Sequence, residues 1–435
     1  MFILINTTNA PFRIRMSAWV QGFGVLMELL TDMALIALAT FMALGWIVWL
    51  SARSKQLPGL DKAMGVQKVH VRSTSRLGGL GVLLGLACGL SLNHALGPVP
   101  FLPLDSSVYN AVPHVTLYAS LLVCALPVFL AGLFEDLTHQ ISPRVRFVMG
   151  LVSASSAWVV IGVQVTRVGV WPIDVVLVWS GVSYAVTMLV VVGFTHAMNI
   201  IDGFHGLAAS QVAFMCSAMA YLCARDAQIE MMILNLVMLA VSIGFLCWNW
   251  PLGKIFLGDA GAYLMGFWVV SLGLLWVQMD PKVSPMAPVL LGAYPLIETL
   301  WSMYRRILSR NKLVASPDGL HLHALIYRRL WWMAVQSPRQ MKTIVVGAEG
   351  QRALQVSNAS NARVSPFFWC VFLVLDGFVM VFYQDTNTLL LGLILFVMSY
   401  IWLFKCLIRF KTPALLRRYS EMRKRKVRDQ VLSCG

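Results

Sequence analysis

The sequence predicts an all-α polytopic membrane bundle of about eleven transmembrane helices, with the N-terminus outside and the C-terminus cytoplasmic. Three observations carry that prediction. Hydrophobic residues make up 58% of the 435 positions and charged residues 12%, with a mean hydropathy of +0.73; a soluble chain carries about twice that charged fraction. Apolar runs of roughly 20 residues, the length that crosses a bilayer as a helix, recur along the chain. Lys and Arg concentrate in alternate connectors between those runs. Together these exclude an ordinary cytosolic protein, a disordered chain and a secreted disulfide scaffold. The eight cysteines fall mostly inside apolar runs and form no Cys-x-x-Cys pair, so they read as small apolar side chains.

The runs fall near 31–51, 77–97, 115–134, 145–165, 173–195, 204–224, 230–250, 262–279, 285–304, 366–384 and 387–408. Residues 1–30 form an N-terminal extension without a signal-peptide cleavage pattern, and Met16 and Met27 offer alternative starts. Residues 31–330 form the core, 331–365 a cytoplasmic loop, 366–408 the last two spans and 409–435 a basic cytoplasmic tail. The net charge of +15 follows from topology. Of the 34 Lys and Arg residues, 29 fall on one side of an eleven-span chain. Arg13, Arg15, Arg167, Arg225 and Lys282 remain on the other. The positive-inside rule places the rich side in the cytoplasm, which removes the main support for a nucleic-acid partner. The tail from Arg417 to Arg428 suits anionic lipid headgroups of the bilayer. No internal repeat of the kind expected from inverted transporter halves is visible.

Only 19 residues are acidic, so their places carry information. Glu135, Asp136, Asp202 and Asp259 lie in three connectors on the predicted inner side. Clustered carboxylates repel unless a cation joins them, and oxygen-only donors suit Mg²⁺ or Mn²⁺. Two plainer readings stand beside this one. Asp259 can cap the helix that follows it, and Glu135–Asp136 can be a solvated loop. Ser142-Pro143 reads as the N-cap and first position of the fourth span. Glu298 and Asp376 fall inside spans, where an acid needs a partner or a polar groove, and neither has a specific assignment. Asn199, Asp202 and His205 recur at three-residue spacing, which on a helix gives one face. His321 and His323, two apart, share a face only in extended chain, and the preceding Ser316–Gly319 is a turn signal.

Five connector motifs complete the reading: KVHVRSTSRLGGLG (Lys68 to Gly81), GLFEDLTHQISPRVR (Gly132 to Arg146), HAMNIIDGFHGLA (His196 to Ala208), KIFLGDAGAYLMGF (Lys254 to Phe267) and SPDGLHLHALIYRR (Ser316 to Arg329). In this order they resemble the polyprenyl-phosphate N-acetylhexosamine-1-phosphate transferase family, over about Lys68 to Arg329. The resemblance implies an enzyme of the bacterial cytoplasmic membrane with a cytoplasm-facing site. It implies transfer of a sugar-1-phosphate from a UDP-N-acetylhexosamine to undecaprenyl phosphate, with release of UMP, and Mg²⁺ (or Mn²⁺) as cofactor. Asp259 and Asp202 are then the metal ligands. Glu135, Asp136, Asp202, His321 and His323 are the catalytic group, with metal and positioning roles favoured for the acidic pair because a phosphate monoester is largely dianionic at pH 7. Lys68, Arg72, Arg76, Asn199, His205, Phe256 and Gly258 bind substrate: Phe256 at a position that can stack on uracil, Gly258 and Gly261 by close backbone approach to phosphate.

This chain departs from the family pattern at Glu135, where Asp is usual, at His205, where many members carry a second acid, and at Ala324, where a further His is common. The His-rich segment looks closer to the GlcNAc branch than to the phospho-N-acetylmuramoyl-pentapeptide branch, which stays as the alternative. The product would start O-antigen or another surface polysaccharide. A transporter or flippase of sugar-nucleotide or lipid-linked sugar is the reading from a different class, and a homodimer is left open.

Overall fold

The computed structural model describes residues 12–53, 60–61, 74–95, 114–310, 320–335 and 359–409. The chain is a polytopic helical membrane protein. Its elements are α1 (Phe12–Arg53), a two-stranded antiparallel pair of β1 (Leu60–Asp61) and β2 (Thr74–Ser75), α2 (Gly78–Ala95), α3 (His114–Thr138), α4 (Pro143–Ile161), α5 (Trp171–Leu177), α6 (Ser180–Ile201), α7 (Leu207–Arg225), α8 (Ile229–Asn249), α9 (Gly258–Met279), α10 (Met286–Leu291), α11 (Ala293–Arg310), α12 (Leu322–Val335), α13 (Val364–Phe382) and α14 (Thr386–Ile408). Among the described residues, nine helices are long and apolar enough to cross a membrane. The cysteines described there are all free.

The remaining two expected spans differ in an informative way. The run near 77–97 is the 18-residue α2. The run 285–304 is not one helix. It breaks at Gly292 into α10 and α11. Pro295 has no N–H for the carbonyl four residues back, and that carbonyl, Leu291 O, instead accepts from Gln211 Nε2 at 3.0 Å. The run 173–195 is likewise split, by extended backbone at Trp179 between α5 and α6. At the other end, α1 reaches back to Phe12, so residue 30 is no helix boundary. Ser142 caps α4 as expected, accepting from Val145 N, with Pro143 at the first position.

The bundle is organised around α9, which is buried along nearly its whole length. It packs against α3, α6 and α2. Small residues make those contacts close, as is usual between membrane helices. A Cβ on Gly132 of α3 would lie 2.6 Å from Ala260 backbone, and one on Gly79 of α2 would lie 2.5 Å from Gly261 N. These contacts lie at the first turn of α9, and they bring the connector before α2 and the connector after α3 to that turn.

Candidate active site

The segment entering α9 is held as a strand. Ile255 pairs in parallel with Ser75, Phe256 N donates to Ser75 O at 2.8 Å, and Gly78 N and Gly79 N donate to the carbonyls of Phe256 and Leu257 at 3.0 and 2.9 Å. The chain then turns at Gly258 with φ +75°, where any added Cβ would sit 2.2 Å from Arg76 O and 2.5 Å from an Asp136 oxygen. Only glycine satisfies both demands.

Asp136, fully buried near the end of α3, caps α9 from outside. Its two carboxylate oxygens accept the backbone N–H of Asp259 at 3.0 Å and of Ala260 at 2.9 Å. A helix N-terminus carries unpaired donors and partial positive charge, which a carboxylate satisfies. Asp259 therefore does not cap its own helix, and its side chain is left for other work. Arg76 Nη2 donates to Asp259 Oδ1 at 2.9 Å while its Nε lies 3.3 Å from Asp136 Oδ1. Arg146 of α4 donates to Asp259 Oδ2. Asp202, at the C-terminal end of α6, belongs to the same electrostatic cluster: burial lifts its carboxyl to about 7, with Arg76 opposing and Asp259 and Asp136 adding to the rise.

One turn along α9 from Asp259, Tyr263 extends the polar surface on the same face. Its hydroxyl accepts from Asn199 Nδ2 at 3.1 Å. The His196 ring lies edge-on to Tyr263 at 5.0 Å and stacks on Phe147 at 6.2 Å, and its Nε2 is buried without a hydrogen-bond partner among the described residues.

The other expected residues divide clearly. Glu135 is half-buried, and its Oε2 accepts Ile141 N at 2.8 Å, so it fastens the α3–α4 connector. His205 is buried under the loop that carries Phe256: its Nδ1 lies 3.3 Å from Pro251 O, its ring 6.0 Å from the Phe256 ring, and a Cβ on Gly253 would strike it. Asn361 Oδ1 accepts His205 N at 2.8 Å and Ser365 donates to His205 O, so the start of α13 braces this turn. Phe256 is partly exposed beside it. Gly258 and Gly261 are both closely packed. Their Cβ directions are filled by Arg76 and Asp136 and by Leu257 and Gly79; the Gly258 amide serves Asp202, and those of Asp259 and Ala260 serve Asp136. Lys68 and Arg72 lie outside the described residues.

His321 and His323 come to the neighbouring turn. The segment is not an extended loop throughout, because α12 begins at Leu322. Their rings nonetheless stack at 5.2 Å and 11°. His323 meets Phe204 edge-on at 5.2 Å, and its Nε2 is 3.9 Å from the Cβ position of Gly203, next to Asp202. Its Nδ1 shares a 2.8 Å hydrogen bond with Tyr294, and burial holds the imidazole down at about 3, so it is neutral at pH 7. His321 pairs through Nδ1 with Glu298 at 2.9 Å. Arg146, His196, Tyr263, Tyr294 and Glu298 are site or support residues that sequence reasoning passed over. Arg146 and His196 stood inside quoted motifs, and Tyr263 sits four residues after Asp259. Glu298 was visible as a buried acid, but its partner His321 lies 23 residues further on, beyond the end of α11.

Chemically, the cluster offers carboxylate oxygens, two guanidiniums and neutral hydrogen-bonding side chains. No group of three or more His, Cys, Asp or Glu that could hold a metal occurs among the described residues. Mg²⁺ does not require one, since it commonly takes one or two carboxylates and completes its shell with water and phosphate. The hard carboxylate oxygens of Asp259 and Asp202, gathered in one electrostatic cluster, suit such an ion.

The chain is similar in sequence to known proteins. The sequence profile of the family described as Glycosyl transferase family 4 matches residues 118–277. The chain is 28% identical over 258 residues to a probable undecaprenyl-phosphate N-acetylglucosaminyl 1-phosphate transferase of Bacillus subtilis (strain 168), covering 59% of this chain and 66% of that one. It is 28% identical over 308 residues to an undecaprenyl-phosphate alpha-N-acetylglucosaminyl 1-phosphate transferase of Salmonella typhi, covering 69% and 78%. It is 26% identical over 326 residues to a decaprenyl-phosphate N-acetylglucosaminephosphotransferase of Mycolicibacterium smegmatis (strain ATCC 700084 / mc(2)155), covering 68% and 75%. The chain thus spans about two thirds to three quarters of the length of these relatives.

Proposed function

We propose that this chain, whose residues 118–277 match the profile of glycosyl transferase family 4, transfers N-acetylglucosamine-1-phosphate from a UDP-sugar to undecaprenyl phosphate, releasing UMP, at the cytoplasmic face of the bacterial inner membrane. The observation that carries the reading is the double guanidinium grip on Asp259 at the start of the buried α9, beside Asp136 and Asp202. The names of the relatives support the acceptor and the sugar. The Lys/Arg distribution of the sequence supports the orientation.

In the reaction, an oxygen of the lipid phosphate attacks the β-phosphorus of the donor. A new P–O bond forms to the sugar phosphate, the bond to the UMP oxygen breaks, and UMP leaves with that electron pair. Little covalent chemistry falls to the protein in phosphoryl transfer; positioning and charge stabilisation dominate. Arg76 and Arg146 can shift from Asp259 onto phosphate oxygens, which guanidiniums bind in a fork. Asp136 keeps α9 and Arg76 in register. Asn199 and Tyr263 supply neutral hydrogen bonds, and Phe256 a partly exposed ring for the base. His321 and His323 close the site from the turn that opens α12. Asp259 and Asp202 are the residues that would hold Mg²⁺ or Mn²⁺, which supplies positive charge to the pyrophosphate when bound.

The test is transfer of labelled sugar phosphate from UDP-GlcNAc to undecaprenyl phosphate in membranes containing this chain, with Mg²⁺, with EDTA and with Asp259→Asn. Metal-dependent labelled lipid that disappears in Asp259→Asn is the expected result. Activity only with UDP-N-acetylmuramoyl-pentapeptide would move the assignment to the pentapeptide branch. Silence with every UDP-N-acetylhexosamine, from folded and inserted protein, would overturn it.

A further inference from the structure

Glu298 of α11 has no exposed side-chain surface, and both of its oxygens are engaged. Oε1 pairs with His321 Nδ1 at 2.9 Å. Oε2 accepts the N–H of Leu322 at 3.1 Å and the hydroxyl of Tyr400 at 2.9 Å. One carboxylate therefore joins α11, the first residue of α12, α14 and an imidazole. An ionised carboxylate only accepts, so the His321 proton facing it sits on Nδ1. Stacking on His323 fixes the ring plane, and His323 is itself held by Tyr294 and Phe204. His321 Nε2 takes no hydrogen bond among the described residues, while the side chain keeps 13% of its surface exposed.

The geometry points to Glu298 as the positioning residue for His321: it fixes the ring with the proton on Nδ1, so that Nε2 faces the phosphate groups of the donor. Capping alone does not require this residue, since the short polar side chains preferred at helix starts cap without burying a charge. A carboxylate on one imidazole nitrogen is the usual means of setting the tautomer and direction of the other. The inference rests on the transferase reading for the identity of the phosphates, and not for the tautomer.

Two measurements test it. The first is kcat and KM for wild type, Glu298→Gln, His321→Ala and the double variant. Glu298→Gln is expected to lower kcat by about 10–100-fold, the usual loss at residues that orient a working ligand, with KM for the UDP-sugar nearly unchanged. In the His321→Ala background the same substitution is expected to cost less than about twofold, because coupled residues are not additive. Equal losses in both backgrounds, or a raised KM at constant kcat, would overturn the proposal and leave Glu298 as a cap for Leu322. The second needs no turnover. In protein carrying ¹⁵N-labelled histidine, the His321 signals, assigned by their loss in His321→Ala, are expected to show a protonated Nδ1, a state lost in Glu298→Gln. A ring protonated on Nε2 and bare on Nδ1 would overturn the proposal, even if the wild-type protein transferred nothing and the functional reading alone had failed.

Discussion

At its first turn α9 is capped by Asp136, whose carboxylate accepts the N–H groups of Asp259 and Ala260; at its last it is capped by Arg167, whose Nη2 donates to the carbonyls of Val277, Asp280 and Val283 at 3.1, 3.0 and 2.7 Å. Each cap carries the charge that opposes the helix dipole at that end. At the Arg167 end the surroundings close on themselves: Gln278 donates to Gly162 O and accepts from Gln164 N, and Asp174 accepts from Val168 N and Gly169 N. At the Asp136 end, Asp259, Asp202, Arg76 and Arg146 are gathered beyond what capping needs. Partly buried charge in excess of structural need carries a desolvation cost, and such groups cluster at working sites. One helix thus carries a self-contained terminus at one end and a charge-rich one at the other.

Substitutions can break or sharpen that contrast. The largest expected effect is Asp259→Asn, which should lower transfer by about 10²–10³-fold, the scale of losing a principal charge-stabilising group, while the amount of inserted protein stays near wild type. Gly258→Ala should come next and differ in kind. A left-handed conformation costs an L residue about 1–2 kcal/mol, and the Cβ collides with Arg76 O, so melting temperature in detergent and activity should fall together. Arg167→Ala should lower stability by about 1–3 kcal/mol, the value of charge-assisted hydrogen bonds, read as a lower melting temperature. The folded fraction should keep a kcat within about threefold of wild type; a loss comparable to that of Asp259→Asn would erase the distinction between the two ends. The smallest effect is expected from Glu135→Gln. Its carboxylate holds Ile141 N, and losing that charge should cost about 1 kcal/mol of stability and less than tenfold in activity. A larger loss of kcat at constant stability would place Glu135 in the chemistry after all.

The spans were legible because each is a long apolar run, and the acids because so few exist in so apolar a chain. Asp136, Asp202 and Asp259 could be nominated from three connectors on one predicted side, and the structure brings them into one electrostatic cluster. Their division of labour was not legible. Asp136 and Asp259 are 123 residues apart, and which of them caps α9 depends on how α3 packs against α9. Arg146 read as one more positive-inside anchor until α4 placed it on Asp259. The break at Gly292 was missed because hydropathy counts apolar residues and not donors: Pro295 removes a donor, and the acceptor it abandons is recovered by Gln211, 80 residues away.

The sequence by itself determined that the chain lives in a membrane, where its helices run and which few residues can carry charge chemistry. Composition and local order suffice for these, because an apolar solvent forces every backbone to pair within its own helix. Only the tertiary structure decided that Asp136 caps α9 and thereby frees Asp259, that Gly258 packs against Arg76 and Asp136, and that Glu298 holds His321. Each depends on hydrogen bonds or contacts between helices distant in sequence, and no local pattern encodes which distant donor will meet which acceptor.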